Sequence, residues 1–257
     1  MRKKIKAKYL NKSLSDDTGV NQKKRINFGD KIEKVVLKSL ISFGLILLML
    51  IWSAIPVISL SLLGVDYTEF SEISKVILMI ISDMLFLIIL FMIYRKSIIR
   101  DFKAFFNRNL KENFKIAVRY WLIGLAIMMV SNYVISVVMD GKMAVNEESV
   151  QNLIKIAPWY MAFELIIFAP VSEELIFRRS IRDVVDNRYL YAILSGMIFG
   201  GLHAISSFNS MIDLLYFIPY CSLGITFGLL YSKTNNIFST ITVHAIHNGL
   251  ALLLYFL

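Results

Sequence analysis

Two adjacent glutamates, Glu173 and Glu174, close an apolar run in the stretch PVSEELIFRRS, residues 170–180. All three histidines follow them. His203 ends the stretch FGGLH, and His244 and His247 lie with Asn248 in HAIHN. A carboxylate with an imidazole can serve as general base toward water. A second imidazole and an amide can donate toward a developing oxyanion. Together these residues are the inventory for hydrolysis by an activated water. Singly they say less: paired glutamates also sit at membrane interfaces, and a lone histidine in an apolar helix is more often a packed core residue.

Helical spacing sorts their directions. Residues i and i+4 share a face, so Glu174 faces Arg178 and an ion pair is expected there. Glu173 lies about 100° away around the helix, and its own i+4 neighbour, Phe177, carries no charge. Glu173 is therefore expected to face the interior of a bundle. Phe199 and His203 share a face, as do His244 and Asn248. His247 lies about 60° from His244 and is assigned to packing or hydrogen bonding.

The elements that carry these residues read as membrane spans. The 257-residue chain is 57% hydrophobic, with a mean hydropathy of +0.63. Apolar runs cover 39–63, 76–94, 120–139, 158–177, 189–203, 211–231 and 237–257. A span needs roughly 20 residues, about 17 at the short limit. The expected fold is all-α: a polytopic membrane protein of about seven transmembrane helices, its active-site bundle formed by the C-terminal four. Residues 1–38 form a basic cytosolic tail that can touch anionic lipid. Residues 39–157 hold helices 1–3 with their loops, and residues 158–257 hold helices 4–7. Within 95–119, Ile98, Ile99, Phe102, Phe105 and Phe106 alternate with basic residues, the pattern of an amphipathic surface helix. Asp83 and Asn132 are expected to be interhelical hydrogen-bond partners. Gly196 with Gly200, and Gly224 with Gly228, have the spacing that lets helix backbones approach closely.

The net charge of +9 needs no nucleic-acid partner. With the N-terminus in the cytosol, seven spans place 25 of the 28 lysines and arginines inside, leaving Lys75, Lys142 and Lys155 outside. That asymmetry obeys the positive-inside rule and puts the C-terminus outside. The single cysteine, Cys221, excludes a disulfide framework within the chain.

In order, EELIFR, FGGLH and HAIHN match the EExxxR, FxxxH and HxxxN motifs of the CAAX-protease and bacteriocin-processing (CPBP, or Abi) family of intramembrane proteases. The chain resembles that family over roughly residues 158–248. The resemblance implies an intramembrane endopeptidase in which Glu173 and His203 activate a water and His244 and Asn248 stabilise the oxyanion. Glu174, Arg178 and Phe199 would support them. Some descriptions of the family are metal-dependent, and Glu173, His203 and His244 are chemically able to form a three-ligand zinc site with an open position. HExxH, the familiar zinc-protease pattern, is absent. The preferred expectation is a glutamate-activated water with no required cofactor, zinc being the alternative. Its partners would be a membrane-associated peptide or protein substrate and the bilayer, in a bacterial cell membrane. Oligomeric state is not legible.

Two other classes compete. A non-catalytic immunity or regulatory protein would use the polar cluster as structural glue. An ion-coupled transporter would use it as a proton relay, but no internal repeat is visible. One geometric tension stands. At about 1.5 Å per residue, His203 lies roughly 21 Å from Tyr189, whereas His244 lies roughly 10 Å from Ile237. They meet only if the fifth span begins beyond the bundle or the helices tilt.

Overall fold

A computed structural model describes residues 28–107 and 110–257; the rest of the expected tail, residues 1–27, lies outside the described residues. These residues group into one unit up to Ile41 and a second over Ser42–Leu257. No strand occurs among the described residues. Among the described residues nine helices carry the fold: α1 Phe28–Ile51, α2 Ile55–Leu62, α3 Glu72–Asn107, α4 Leu110–Val138, α5 Val145–Ile156, α6 over 158–180, α7 Arg188–Ala204, α8 Phe217–Thr234 and α9 Ile237–Tyr255. Short 3-10 turns join several of them.

Among the described residues six helical segments are long and apolar enough to cross a membrane. They correspond to six of the seven expected runs. The fourth run, α6, is set apart by composition rather than length. At about 1.5 Å per residue it is long enough to span, but it carries Glu164, Glu173, Glu174, Arg178 and Arg179.

Two local expectations are corrected. The first helix begins at Phe28, about three turns before the apolar run. Helix-forming Lys and Glu in IEKVVLK extend it. No separate surface helix forms over 95–119, because α3 runs on to Asn107 and α4 starts at Leu110. The basic residues there decorate the ends of two long helices. The connection 140–157 between the third and fourth runs folds as α5 after a turn in which Asp140 and Gly141 take positive φ. Ser207 Oγ accepts from Val145 N–H at 2.8 Å, and Tyr216 donates to the Lys142 carbonyl at 3.0 Å.

α8 is the packing axis, its apolar window 61% buried. Close approach comes from the small residues. A Cβ on Gly224 would stand 2.8 Å from Gly196 Cα, and one on Gly228 would stand 2.9 Å from Ala192 Cα. Both contacts are with backbone, which cannot rotate away, so α7 and α8 require glycine here. Cys221 packs in the same seam, its thiol 3.4 Å from the Gly196 carbonyl. Asp83 on α3 accepts from Tyr160 Oη at 3.0 Å, as its type suggested. Asn132 does not pair: it is exposed on α4. A second tie binds the end of α3 to the start of α9. Asn236 donates to the Asp101 carbonyl at 2.7 Å, and Ile237 N–H donates to the Asp101 carboxylate at 3.3 Å.

Gly224→Ala is expected to destabilise the protein by about 1–3 kcal/mol through overpacking. Gly44→Ala, where an added Cβ meets nothing within 4 Å, should leave stability unchanged or slightly raised. Thermal unfolding in detergent separates the two; equal melting temperatures would contradict the close α7–α8 seam.

Candidate active site

α6 is not a uniform α-helix. It is α-helical over Pro158–Phe163 and Ala169–Glu173, and π-helical over Glu164–Phe168 and Glu174–Ser180. Such wide turns are frequent at functional sites. One local cause is legible. Pro170 has no N–H, so the carbonyl five residues earlier, Leu165, loses its π-helical donor. Asn248 supplies one from α9, its Nδ2 donating to that oxygen at 2.9 Å. The Ser172 hydroxyl returns to the Phe168 carbonyl at 2.7 Å, and Ser180 returns to Ile176 at 2.5 Å. Hydroxyls bonded back in this way bend helices.

The wide turns bring both glutamates to one imidazole. His244 Nδ1 lies 2.9 Å from Glu174 Oε1, and His244 Nε2 lies 3.6 Å from Glu173 Oε2. His203 Nε2 lies 3.8 Å from the other oxygen of Glu173, Oε1. The His203 Nδ1 atom sits 2.9 Å from the Phe199 carbonyl. A carbonyl only accepts, so Nδ1 carries the proton and Nε2 faces Glu173. An ionised Glu174 imposes the same Nδ1–H arrangement on His244.

Glu174 is anchored twice. Besides His244 it meets Arg178, whose Nε stands 3.1 Å from Oε2. That contact is an ion pair outside hydrogen-bond alignment. Both side chains are 0% exposed. Arg178 Nη1 donates to Ser195 Oγ at 3.0 Å, Ser195 donates to the Phe177 carbonyl at 2.7 Å, and the guanidinium lies 5.0 Å from the centre of the Phe199 ring. Phe199 also stacks on His203, with ring centroids 4.3 Å apart. Its placement bears out the FxxxH spacing.

Exposure divides the two carboxylates. The Glu173 side chain is 10% exposed and His203 22%, against 0% for Glu174. Glu173 and His203 therefore border reachable space, and Glu174 and Arg178 are sealed behind them. The expected tension over His203 is relieved at the other end of α7. Arg188, Tyr189 and Leu190 are exposed, so the helix begins outside the packed bundle, after a turn in which Asn187 caps Tyr189 and Leu190 N–H at 3.0 Å each.

Spacing did not reveal four participants. Ser195 supports Arg178. Tyr220 covers the second face of His203 at 5.2 Å, and Phe227 packs on His244 at 5.5 Å. The Leu165 carbonyl holds Asn248. These come from different helices, and only the missing N–H of Pro170 gave a signal in the chain itself. His247 stands apart from the cluster, accepting from Trp121 Nε1 at 3.3 Å.

The set Glu173, His203 and His244 can be tested against zinc. Two imidazoles whose Nδ1 atoms are held by a carbonyl and a carboxylate, with Nε2 turned to a common point, have the outer-shell support that zinc ligands usually show. The donor chemistry fits. As the side chains stand, no group of three His, Cys, Asp or Glu among the described residues has metal-holding spacing. The 3.6 and 3.8 Å separations are too long for direct hydrogen bonds.

Fold and site together define an all-α polytopic membrane protein with a carboxylate–imidazole centre built on its C-terminal helices. Residues 155–250 match the family described as type II CAAX prenyl endopeptidase Rce1-like, in agreement with the resemblance carried by the three motifs. That segment is thus similar to type II CAAX prenyl endopeptidases. The chain is 29% identical over 111 residues to YdiL of Bacillus subtilis, itself a candidate membrane peptidase; the match covers 42% of each chain. It is 25% identical over 149 residues to the UPF0177 protein YxdF of Lactococcus lactis, covering 56% of this chain and 80% of that one. A second Lactococcus lactis protein, YbdI, is 24% identical over 179 residues, covering 66% and 93%. The chain thus spans about two fifths of the length of YdiL. No solved structure matches.

Arg178→Met would leave Glu174 charged and buried with half its support. The expected loss is roughly 3–5 kcal/mol of stability, read as a fall in melting temperature. The double variant Glu174→Gln/Arg178→Met should recover part of it. Additive losses would mean that the two side chains do not stabilise one another.

Proposed function

We propose that the protein is an intramembrane endopeptidase in which Glu173 activates a water for attack on a peptide bond. The observation that carries this reading is the convergence of two imidazole nitrogens on one carboxylate: His203 Nε2 at 3.8 Å and His244 Nε2 at 3.6 Å from its two oxygens. A water bound beside Glu173 would lie within reach of all three groups. Glu173 takes its proton as the oxygen bonds to the carbonyl carbon, and returns it to the leaving amine as the C–N bond breaks. Glu174 orients His244, which with Nε2 protonated donates to the oxyanion. Asn248 has a second amide hydrogen beyond the one held by Leu165 and serves the same charge. The partial exposure of Glu173 and His203 supplies the route for water and substrate.

The substrate class is a membrane-associated peptide or the membrane-proximal part of a protein. The bacterial relatives support a bacterial cell membrane as its place; bacteriocin processing or self-immunity is the use that the motif resemblance implies. The positive-inside charge distribution supports a cytosolic N-terminus, and α6 as a seventh crossing puts the C-terminus outside. Glu173, His203 and His244 would also hold a divalent metal, which when bound polarises water as a Lewis acid. The preferred chemistry uses the carboxylate alone.

The test compares membrane peptides from cells carrying the active protein with those from cells carrying Glu173→Gln at equal expression. Cleavage of the accumulating peptide by purified protein should fall about 10²–10⁴-fold in Glu173→Gln and in His203→Ala. Full cleavage by both variants would sink the reading, and a biological effect that outlasts them would point to a binding role. Treatment with EDTA should leave the rate unchanged; loss restored by zinc would move the chemistry to the metal.

A further inference from the structure

A cavity of about 300 Å³ lies away from the site, between the end of α3 and the first turns of α4 and α9. None of its lining residues is a member of the carboxylate–imidazole cluster. We propose that it binds one acyl chain of an anionic glycerophospholipid, with the phosphate on Lys111 and an ester carbonyl on Ser239.

Three observations converge on that occupant. The first is a gradient of polarity along the cavity. Lys111, its one charged lining residue, stands with Asn113 and Ser239 near the starts of α4 and α9, beside the apolar Phe105 and Leu110; Ala117, Thr242 and Val243 line it about one turn deeper. A head at the helix ends and a tail running inward reproduce that order. The exposed ring of Phe114 forms the outer wall, on a helix that by composition faces hydrocarbon.

The second is an unsatisfied hydroxyl. Ser239 is 2% exposed, and its Oγ has no hydrogen-bond partner among the described residues. A buried donor left unpaired is costly. Ser172, Ser180, Thr226 and Thr240 each return to a backbone carbonyl; Ser239 does not, and of the unpaired buried serines Ser42, Ser232 and Ser239 it is the one that lines this cavity. A water there would leave the apolar wall of Phe114, Ala117 and Val243 uncovered. A lipid ester brings the acceptor and fills the apolar space together.

The third is charge. Lys111 is exposed at the mouth, and Lys103, Lys115 and Arg119 stand in the flanking turns. Basic groups at this depth select anionic headgroups over zwitterionic ones. The volume is at the lower end of the roughly 300–1,000 Å³ typical of ligand pockets, which suits one chain rather than two. Ala117 and Val243 pack in one cluster with Phe227, and Phe227 lies against His244. The bound chain would therefore sit one layer of side chains behind the imidazole.

Native mass spectrometry of the full chain, purified in detergent and reloaded with either phosphatidylglycerol or phosphatidylcholine, tests this. The wild type should retain phosphatidylglycerol about fivefold more than phosphatidylcholine, the preference one lysine near an anionic surface confers. Lys111→Gln, a surface change that does not disturb packing, should abolish the preference. Ala117→Leu, which fills the cavity, should displace both lipids. Equal retention of the two lipids by the wild type overturns the proposal, as does a preference that survives Lys111→Gln. So does retention that survives Ala117→Leu at an unchanged melting temperature. A tightly held molecule other than a phospholipid would overturn the assignment of the occupant.

Discussion

Glu174 has no exposed surface, and neither does the guanidinium that faces it. A charge so placed must be paired or it is expelled by the cost of desolvation. Arg178 answers it from the same helix and His244 from α9. Removing either partner leaves an uncompensated charge in the interior of a membrane protein. The other features of the C-terminal half follow from keeping this contact: the wide turns of α6, the close α7–α8 seam that carries Ser195 to Arg178, and the cap that starts α9 at Ile237.

The same contact sets the chemistry. With Nδ1 of His244 held by Glu174, the ring has one nitrogen left, and that nitrogen faces Glu173. His203 reaches the same state by a different route, through the Phe199 carbonyl of its own helix. Two imidazoles are thus fixed by unlike partners and aimed at one carboxylate. Glu173 differs from its neighbour in being reachable. The adjacent glutamates differ in setting, one sealed against Arg178 and His244 and the other at the edge of the cluster, because burial separates them as much as helical rotation does.

The N-terminal helices are built differently. They expose apolar side chains around most of their circumference, as lipid-facing helices do. Among them α4 packs along α8, with Ala117 against Leu223 and Phe227 and Gly124 against Thr226. Polar contacts add Asp83 to Tyr160, Asp101 to the start of α9, Ser222 to the Gly124 carbonyl and Trp121 to His247. Each is a polar contact in an apolar setting, where few alternatives exist for the groups involved. The proposed lipid site would add to this layer an element supplied by the bilayer.

Much was legible in the residues themselves. Hydropathy gave the all-α membrane architecture, since only a helix satisfies its own backbone in lipid. The i, i+4 spacings gave Glu174 with Arg178 and Phe199 with His203, because contacts within one helix depend only on its pitch. The glycine pairs gave the close seam. What spacing could not give was any contact between helices. A uniform 3.6-residue helix separates Glu173 from Glu174 by about 100° and offers no reason for both to meet His244. That meeting depends on the π-helical turns, on Pro170 freeing a carbonyl for Asn248, and on α7 starting beyond the bundle. These are set by how helices distant in sequence pack, so only the tertiary structure decided which carboxylate is sealed and which is reachable.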